Sequence, residues 1–366
     1  MTERDRRVRQ RLLKWYRAQG RDLPWRRTTD PYRIWVSEIM LQQTTVTTAT
    51  PYWERFVERF PTVRALAAAP LDEVLAAWSG LGYYRRARLL HGAAIEVAQR
   101  GGQLPVTAGD WRRLPGVGEY TAAAIASIAH GEPVAAIDGN VTRVLTRLER
   151  IAEDPARQPG KRKVRDTAER LIDSEAPGEF NQALMELGAR ICRPRSPACG
   201  VCPVEDFCQA ARAGDAERFP HGADRRPTVP VVRGAFRLKN GAGRVLLARI
   251  PPDQPNAGLW ELPAATVYHG ERDAGGGPPA LAGGELARRA AEAVAEAAGL
   301  RLLPGRRLGR VRHAITHHRI TVYLFGGELE GPAPRGDGWI WASAADSQEL
   351  ALTSAGRRLL ELGCER

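Results

Sequence analysis

Four cysteines lie within seventeen residues of one another, and they constrain the fold of this chain more than any other feature. They are Cys192, Cys199, Cys202 and Cys208, in the spacing C-x6-C-x2-C-x5-C. Four thiolates so close in sequence indicate the ligands of one compact metal centre, either zinc or a [4Fe–4S] cluster. Zinc sites usually combine two C-x2-C pairs and this segment has one, so the cluster is the favoured interpretation.

The length and charge of the chain limit its class. At 366 residues it can hold two or three domains that each bury a core. Its formal charge of +12 suits a nucleic acid, although heavy arginine use can also reflect a GC-rich genome. With no signal peptide and no membrane-spanning apolar run, we expect a cytoplasmic protein without disulfides, in which Cys364 carries no metal.

Hydrophobic spacing divides the chain into a helical first part and an α+β second part. Residues 1–211 have helical periodicity, and Asp30-Pro31 is a typical helix start. Residues 212–230 are charged and rich in Pro and Gly, which predicts a linker before a second domain at 231–366. The predicted helices are 32–44, 71–79, 85–99, 120–130, 141–150, 162–174, 181–191 and 285–298, and the predicted strands are 234–238, 245–249 and 320–329, with a loop at 270–284.

A glycine-rich segment between two predicted helices matches the hairpin of helix-hairpin-helix DNA-binding proteins. It reads Leu-Pro-Gly-Val-Gly-Glu-Tyr-Thr-Ala from Leu114, so Gly116, Val117 and Gly118 form the turn. Glycines let the backbone approach a phosphate, and the amides of the next helix then face the anion. The alternative is an ordinary glycine-rich turn between helices.

Two acidic residues lie in settings that suit catalysis. Asp138 follows an apolar run in Ile137-Asp138-Gly139-Asn140 and precedes a predicted helix, so the local pattern by itself favours a helix N-cap. Glu38 has mainly apolar neighbours, which would raise its pKa if it is buried. Taken alone, the local pattern around Glu38 favours a solvent-facing helix residue.

Taken together, these segments resemble the MutY family of adenine DNA glycosylases. The motifs S-E-I-M-L-Q-Q-T, G-L-G-Y-Y, L-P-G-V-G, I-D-G-N-V and the cysteine spacing occur in the family's order between Arg11 and Cys208. The resemblance implies a mainly α helix-hairpin-helix domain with a [4Fe–4S] loop at 192–208, acting as a monomer at the nucleoid. Its partner would be double-stranded DNA containing adenine opposite 8-oxoguanine or guanine.

The resemblance also implies roles for individual residues. Glu38 would protonate adenine N7, Asp138 would stay ionised near the sugar C1′, and Tyr120 and Asn140 would position acid, water and sugar. Further residues would contact the flipped adenine or the duplex beside it. These are Trp25, Arg26, Gln43, Thr44, Leu81, Tyr83 and Gln182, with Gln43 and Tyr83 as wedges.

Two other functions remain open from the sequence. One is a glycosylase and lyase like endonuclease III, which uses a hairpin lysine as a nucleophile; the matching position here is Tyr120, and only Lys14, Lys161, Lys163 and Lys239 are lysines. The other is an iron–sulfur protein that binds damaged DNA without catalysis. The pair of carboxylates opposes this second alternative.

The second domain resembles a Nudix domain that has lost its catalysis. Gly258-Leu259-Trp260-Glu261-Leu262-Pro263 matches the entry motif, but of the metal-binding acids only Glu296 is kept. The resemblance assigns 8-oxoguanine recognition to a segment that begins at His313, with Thr316 and His317 as contacts. Ile315 stands there in place of an aromatic residue.

Overall fold

The computed structural model describes residues 2–222, 228–254, 256–270 and 283–362. The described helices are α1 Glu3–Gln19, α2 Pro31–Leu41, α3 Val46–Arg59, α4 Val63–Ala68, α5 Leu71–Ala77, α6 Arg85–Gln99, α7 Ala108–Trp111, α8 Glu119–His130, α9 Gly139–Leu148, α10 Gly160–Leu171, α11 Pro177–Arg190, α12 Gln209–Arg212, α13 Gly283–Ala298, α14 Asp346–Glu349 and α15 Ser354–Glu361. The described strands are β1 Val229–Leu238, β2 Val245–Arg249, β3 Trp260–Glu261, β4 Ala264–His269, β5 Leu302–Ile315, β6 His318–Leu329 and β7 Trp339–Ala342. Residues 223–227 of the predicted linker, 271–282 of the predicted loop, and Cys364 lie outside the described residues.

The chain forms two compact units. The first contains the described residues of 1–68 and 88–224, and the second those of 69–87 and 225–366. The segment 69–87, which carries α5, therefore belongs with the β-rich unit although it lies early in the sequence. The predicted boundary at 211 does not take account of this segment. Within the predicted linker, Phe219 is buried in the first unit and β1 begins at Val229.

The first unit is helical because its apolar residues recur at helical spacing and its helix ends are capped. In α1 the Thr2 side chain accepts from the Asp5 amide and the Asp5 carboxylate accepts from the Thr2 amide. Val8 and Leu12 of this helix are buried in one core together with apolar residues of α9, α10 and α11. This core holds α9 and α11 against one another, and both line the site described below.

Helix α2 begins as predicted and ends earlier. Asp30 accepts from the Tyr32 amide and Pro31 occupies the first turn, but the helix stops at Leu41 instead of continuing to Thr44. The next helix, α3, was not predicted because threonines and Pro51 break its apparent pattern. Ala49, Trp53 and Phe56 are nevertheless buried on one face of it, so tertiary packing outweighs the weak local propensity.

Helix α8 packs closely against its neighbours because its buried face is built from small residues. Ala122, Ala124 and Ala126 are fully buried, and the helix ends at His130 as predicted, with Gly131 in the left-handed conformation as its C-cap. Gly178 of α11 lies against this helix, since a Cβ there would be only 2.6 Å from the Cα of Ile128. The close approach brings residues of α8 and α11 to one cavity.

The second unit has two sheets. The larger has the order β4-β1-β6-β5, in which β1 and β6 run parallel and the other pairs are antiparallel; the smaller has the order β3-β2-β7. β5 was not predicted because its Pro-Gly-Arg-Arg and Gly-Arg stretches lack β-branched residues. Its long pairing with β6 supplies the stability that local propensity does not.

No helix in the described part of the chain is long and apolar enough to cross a membrane.

Candidate active site and iron–sulfur loop

A cavity of about 450 Å³ opens in the first unit, within the size range of ligand pockets. It brings together nine of the residues singled out in the sequence. These are Trp25, Arg26, Glu38, Gln43, Thr44, Tyr120, Asp138, Asn140 and Gln182. They come from the 24–26 turn, the C-terminal end of α2, the start of α8, the start of α9, and α11.

Glu38 lies at the wall of the cavity and is nearly removed from solvent, with 7% of its surface exposed. Its Oε2 accepts a 2.7 Å hydrogen bond from the Tyr120 hydroxyl. Burial raises the pKa of Glu38 to about 7; the Tyr120 hydrogen bond opposes this rise and the negative charge of Asp138 adds to it. Glu38 is therefore not the solvent-facing helix acid that its local sequence favoured.

Asp138 combines the two roles that its sequence left open. It is the N-cap of α9, since its Oδ1 accepts a 2.7 Å hydrogen bond from the Val141 amide. It also lines the cavity, where its Oδ2 accepts a 2.8 Å hydrogen bond from the Asn140 side chain. The cap fixes the position of the carboxylate, and Asn140 fixes its orientation.

Buried Asn181 holds the segment that leads to Asp138. Its side chain accepts from the Ala136 amide at 3.0 Å and donates to the Val134 carbonyl at 2.9 Å. It also donates to Ser127 of α8 at 2.9 Å. One amide side chain on α11 therefore joins α8 to the strand-like run before Asp138.

Glu186 is a cavity residue that the sequence analysis missed. It is fully buried and accepts from Arg21 at 2.7 Å and from Arg26 at 2.9 Å. Burial alone would raise the pKa of Glu186, but the hydrogen bond from Arg21 and the charge of Arg26 outweigh it and lower the pKa to about 2. Glu186 thus stays ionised and holds Arg26 in the cavity; its position four residues after Gln182 on α11 was the available signal.

The remaining cavity residues are held by packing and weaker hydrogen bonds. Trp25 is buried and packs edge-on against Trp53, with ring centroids 5.8 Å apart. Gln182 accepts from the Tyr16 hydroxyl at 3.2 Å. Gln43 has φ of 61°, a left-handed conformation that is uncommon for residues other than glycine.

Four residues singled out in the sequence belong to the second unit instead. Leu81 is buried, whereas Tyr83, two residues later, is 41% exposed with φ of 48°. Thr316 is exposed in the two-residue turn between β5 and β6, with φ of 53°, and His317 follows it. A positive φ is strained for a β-branched residue, so this turn is held by the strands on either side.

A charged pair of the second unit interacts electrostatically with His313, the first residue of the segment predicted to recognise 8-oxoguanine. Arg233 of β1 donates to Glu261 of β3 at 2.8 Å. Burial lowers the pKa of His313, and the positive charges of Arg233 and Arg358 lower it further. The rings of His317 and His318 lie 4.1 Å apart at the turn.

The predicted hairpin joins α7 to α8 as expected for its sequence. Gly116 has φ of 78°, and a Cβ there would lie 2.7 Å from the Cβ of Leu89. Val117 is buried, and Gly118 is the N-cap of α8. The turn needs glycine at 116 for two independent reasons, and Gly118 leaves the helix terminus uncovered by a side chain.

The four cysteines of the 192–208 segment approach one another beside a buried arginine. Burial raises the pKa of Cys202 to about 12, and the charges of the other three cysteines add to that rise. Arg147 donates to the Cys192 sulfur at 3.4 Å. Mutually destabilised thiolates beside a guanidinium fit a centre whose positive charge neutralises them. Among the described residues, no group of three or more His, Cys, Asp or Glu side chains is placed to hold a single metal ion.

Arg143 connects this segment to the cavity. Its guanidinium donates to the Cys192 carbonyl at 2.8 Å and to the Asn140 side chain at 2.9 Å. It also donates to the Gly188 carbonyl at 2.9 Å. Because Asn140 in turn donates to Asp138, the fold of the cysteine segment helps to fix the orientation of the carboxylate.

Comparison with family models agrees with both units and with the cysteine segment. Residues 36–173 match the HhH-GPD superfamily of base excision DNA repair proteins. Residues 192–208 match the iron–sulfur binding domain of endonuclease III, which decides between the zinc and the cluster interpretations in favour of iron–sulfur. Residues 234–362 match the Nudix domain.

Curated relatives extend the likeness over most of the chain. An adenine DNA glycosylase of Homo sapiens is 36% identical over 88% of this chain and 67% of its own length. The adenine DNA glycosylase of Rattus norvegicus is 34% identical over 97% of this chain and 77% of its own length. Among solved structures, a thermostable thymine-DNA glycosylase is 28% identical, covers 58% of this chain and 98% of its own, and superposes with a TM-score of 0.53. By the identity and extent of these matches, the chain belongs to the adenine DNA glycosylase family.

Proposed function

We propose that this protein removes adenine paired with 8-oxoguanine or guanine from duplex DNA and leaves an abasic site in an uncut strand. The observation that carries the proposal is the buried Glu38 beside Asp138 in a cavity large enough for a base. A carboxyl group with a pKa of about 7 is half protonated at neutral pH. It can therefore donate a proton under the conditions in which DNA is repaired.

The reaction divides between the two carboxyl groups. Glu38 donates its proton to adenine N7 as the bond between C1′ and N9 breaks, and the bonding electrons leave with the base. The sugar becomes an oxocarbenium-like cation, which the Asp138 carboxylate stabilises across the cavity. Water then adds to C1′ and releases one proton, which gives the abasic sugar. The Tyr120 hydroxyl, 2.7 Å from Glu38, keeps the acid oriented toward the base.

The rest of the cavity suits a flipped purine. Trp25 supplies a flat apolar surface, while Arg26 and Gln182 supply hydrogen-bonding groups at its edge. The ionised Glu186 keeps Arg26 from turning away from the cavity. Asn140 and the α9 cap keep Asp138 beneath the sugar.

The absence of a suitable lysine supports a glycosylase without lyase activity. All four lysines are among the described residues, and none of them lines the cavity. Tyr120 occupies the hairpin position at which a lyase needs an amine, and its own hydroxyl is engaged with Glu38. A Schiff base therefore has no nucleophile here.

Recognition of the opposite base is proposed for the second unit. Thr316 and His317 would contact 8-oxoguanine, while Gln43 and Tyr83 would fill the stack that the adenine leaves. Thr44 and Leu81 would support the two wedges; the buried position of Leu81 suits packing under Tyr83 more than contact with a base. Exposed Tyr83 and Thr316, each in a strained backbone conformation, support direct contact with DNA.

The remaining parts of the proposal concern binding. Gly116, Val117 and Gly118 would bind one phosphate of the backbone through amides at the start of α8. Cys192, Cys199, Cys202 and Cys208 would bind a [4Fe–4S] cluster, which stabilises the loop and supplies no step of the reaction. We further propose that the protein acts as a monomer on chromosomal DNA in the cytoplasm, at the nucleoid.

The test compares adenine release by the wild type and by Glu38→Gln. The substrate is a duplex with one adenine opposite 8-oxoguanine, and a matched duplex carries guanine in place of 8-oxoguanine. We expect the wild type to yield abasic strands that break only after added alkali. Glu38→Gln preserves the shape of the side chain but has no proton to donate, so we expect no release from it.

Glu179→Gln is the matched control, because Glu179 pairs with Arg17 on the surface of the same unit and should be dispensable. Strand breaks without alkali, trapped by borohydride, would show a lyase instead. Tight binding with no release from the wild type would show a damage-binding protein. Release by Glu38→Gln at the wild-type rate would refute the role of Glu38.

A further inference from the structure

The loop that carries Tyr83 is tied to the β-rich unit by three buried or half-buried polar side chains. The Ser79 hydroxyl donates to the Leu352 carbonyl at 3.0 Å, and the Tyr84 hydroxyl donates to the same carbonyl at 2.7 Å. Arg357 of α15 donates to Ser79 at 3.0 Å. Leu352 precedes α15, and its chain neighbours Ala351 and Thr353 form backbone hydrogen bonds with Trp260.

The buried positions of these groups make their hydrogen bonds costly to lose. Tyr84 is 2% exposed, Ser79 7% and Leu352 1%. A carbonyl this deep that loses its donors keeps the desolvation penalty without compensation. Neither Tyr84 nor Ser79 is accessible to DNA, so their hydroxyl groups act on the loop and not on a ligand.

The same loop is rigid on its other side. The Gly80 amide donates to the Tyr84 hydroxyl at 3.2 Å, and the Trp78 indole donates to the Gly82 carbonyl at 3.2 Å. Arg86 packs over the rings of both Trp78 and Tyr83. These contacts leave Tyr83 as the exposed residue of the turn, in a conformation that the surrounding bonds must impose.

We propose that Tyr84, Ser79 and Arg357 are positioning residues, which hold the Tyr83 wedge in the unit that also carries the recognition turn at Thr316 and His317. The inference rests on the proposed function, since it assumes that Tyr83 enters the duplex. It extends that function with a role for residues that do not contact DNA. These residues set the position and orientation in which Tyr83 meets the duplex. The β-rich unit thereby fixes both Tyr83 and the recognition turn, which are two of the groups proposed to contact the mispair.

The first test is a double-mutant cycle between Tyr84→Phe and Tyr83→Ala. The readout is the single-turnover rate of adenine release from the A:8-oxoguanine duplex, corrected for the fraction of active protein. We expect Tyr84→Phe to slow release by about tenfold, the order expected for one buried hydrogen bond. In the Tyr83→Ala background the same change should have no further effect, because the residue through which it acts is gone.

A second readout reports the wedge directly. A 2-aminopurine next to the 8-oxoguanine brightens when its stack is opened, and Tyr84→Phe should reduce that signal at saturating protein. Tyr268→Phe is the matched control, since Tyr268 packs against the core of the same unit and should change neither readout. If Tyr84→Phe folds poorly, Ser79→Ala removes the other donor to the Leu352 carbonyl, and Arg357→Lys weakens the bond to Ser79.

The outcomes separate this inference from the proposed function. Wild-type protein that releases no adenine would refute the proposed function. Wild-type release with an unchanged rate in Tyr84→Phe would refute the positioning role alone. So would an equal loss from Tyr84→Phe in both backgrounds, or a Tyr83→Ala variant as fast as the wild type.

Discussion

At the scale of single residues, the site depends on two buried carboxyl groups, Glu38 and Glu186, whose surroundings shift their pKa values differently. Glu38 has one neutral hydrogen-bond donor and little solvent, whereas Glu186 is fully buried and bonded to two arginines. Their pKa values consequently move in opposite directions, to about 7 and to about 2. The same type of side chain thus serves as an acid in one place and as a fixed anion in the other.

The first prediction concerns the pH dependence of adenine release. The active form of Glu38 is protonated, and its pKa of about 7 places its loss of the proton near neutrality. The single-turnover rate should therefore fall as pH rises above 7, by roughly tenfold per unit once the group is mostly ionised. Rates measured from pH 5.5 to 9 at saturating protein check this, with DNA affinity measured at each pH as the control. A rate that stays level across pH 7 would contradict the assignment.

The second prediction concerns stability at the same residue. Because the pKa of Glu38 is raised from 4.5 to about 7, the folded protein keeps a proton that the unfolded chain loses. The contribution to the free energy of unfolding is full below pH 4.5 and is lost as pH rises through 7, by at most about 3 kcal/mol. Glu38→Gln should remove this part of the pH dependence, as measured by denaturant unfolding. An identical slope in both proteins would show that burial does not govern this pKa.

At this scale, the sequence predicts those site residues whose immediate neighbours in the chain form a recognisable motif. Asp138 and Glu38 lie in short motifs, so their neighbours along the chain identify them. Glu186 has its two hydrogen-bonded arginines 165 and 160 residues away, so its position four residues after Gln182 was the main local signal. The left-handed backbone of Gln43, Tyr83 and Thr316 was equally hidden, since none of these residue types favours it. All three residues are proposed DNA contacts. We infer that their strained backbone lowers the stability of the fold but sets the position of the side chain for contact with DNA.

At the scale of helices and strands, prediction succeeded where an element's own sequence suffices. Arg85–Gln99 was predicted with its exact bounds, because its apolar spacing is regular. Helix α3 and strand β5 were missed because each is stabilised by its neighbours against weak local propensity. The elements that build the cavity were found, but the distance between α8 and α11 was not predictable from either one.

The third prediction tests the close approach of α9 and α11. A Cβ at Gly188 would lie 2.7 Å from the Asn140 Cβ, so Gly188→Ala must displace Asn140 or the helix. The displacement should weaken the Asn140 bond to Asp138 and slow adenine release by roughly tenfold to a hundredfold. It should also cost about 1–3 kcal/mol of unfolding free energy. Release assays and denaturant unfolding of the variant measure both effects.

Gly92→Ala is the matched control in the same unit. It lies on the exposed face of α6, and a Cβ there meets nothing within 4 Å. Alanine in place of glycine within a helix should raise the free energy of unfolding by about 0.5–1 kcal/mol and leave release unchanged. Gly188→Ala with wild-type activity would show that α11 does not position Asn140.

At the scale of the whole molecule, the division of the chain differs from its order in sequence. Composition placed one boundary after the cysteines, and that boundary remains a prediction. Contacts instead place residues 69–87 with the β-rich unit, through Asp72 bonded to Arg249 as well as through the bonds to Leu352. No local pattern in α5 signals this, because the partners of this segment lie 177 to 278 residues later in the chain.

The fourth prediction follows from this division. In a fragment of residues 1–222, the segment 69–87 loses the partners that bury Ser79 and Tyr84. Its amides should therefore exchange with deuterium at least tenfold faster than in the full chain, because the segment can open without first breaking those bonds. Hydrogen exchange followed by mass spectrometry measures the segment directly. Peptides from α8, which is buried within the first unit, should exchange at the same rate in both proteins. Retained iron–sulfur absorbance would show that the fragment keeps its fold, and unchanged protection of 69–87 in such a fragment would mean that the helical unit alone orders the loop that carries Tyr83.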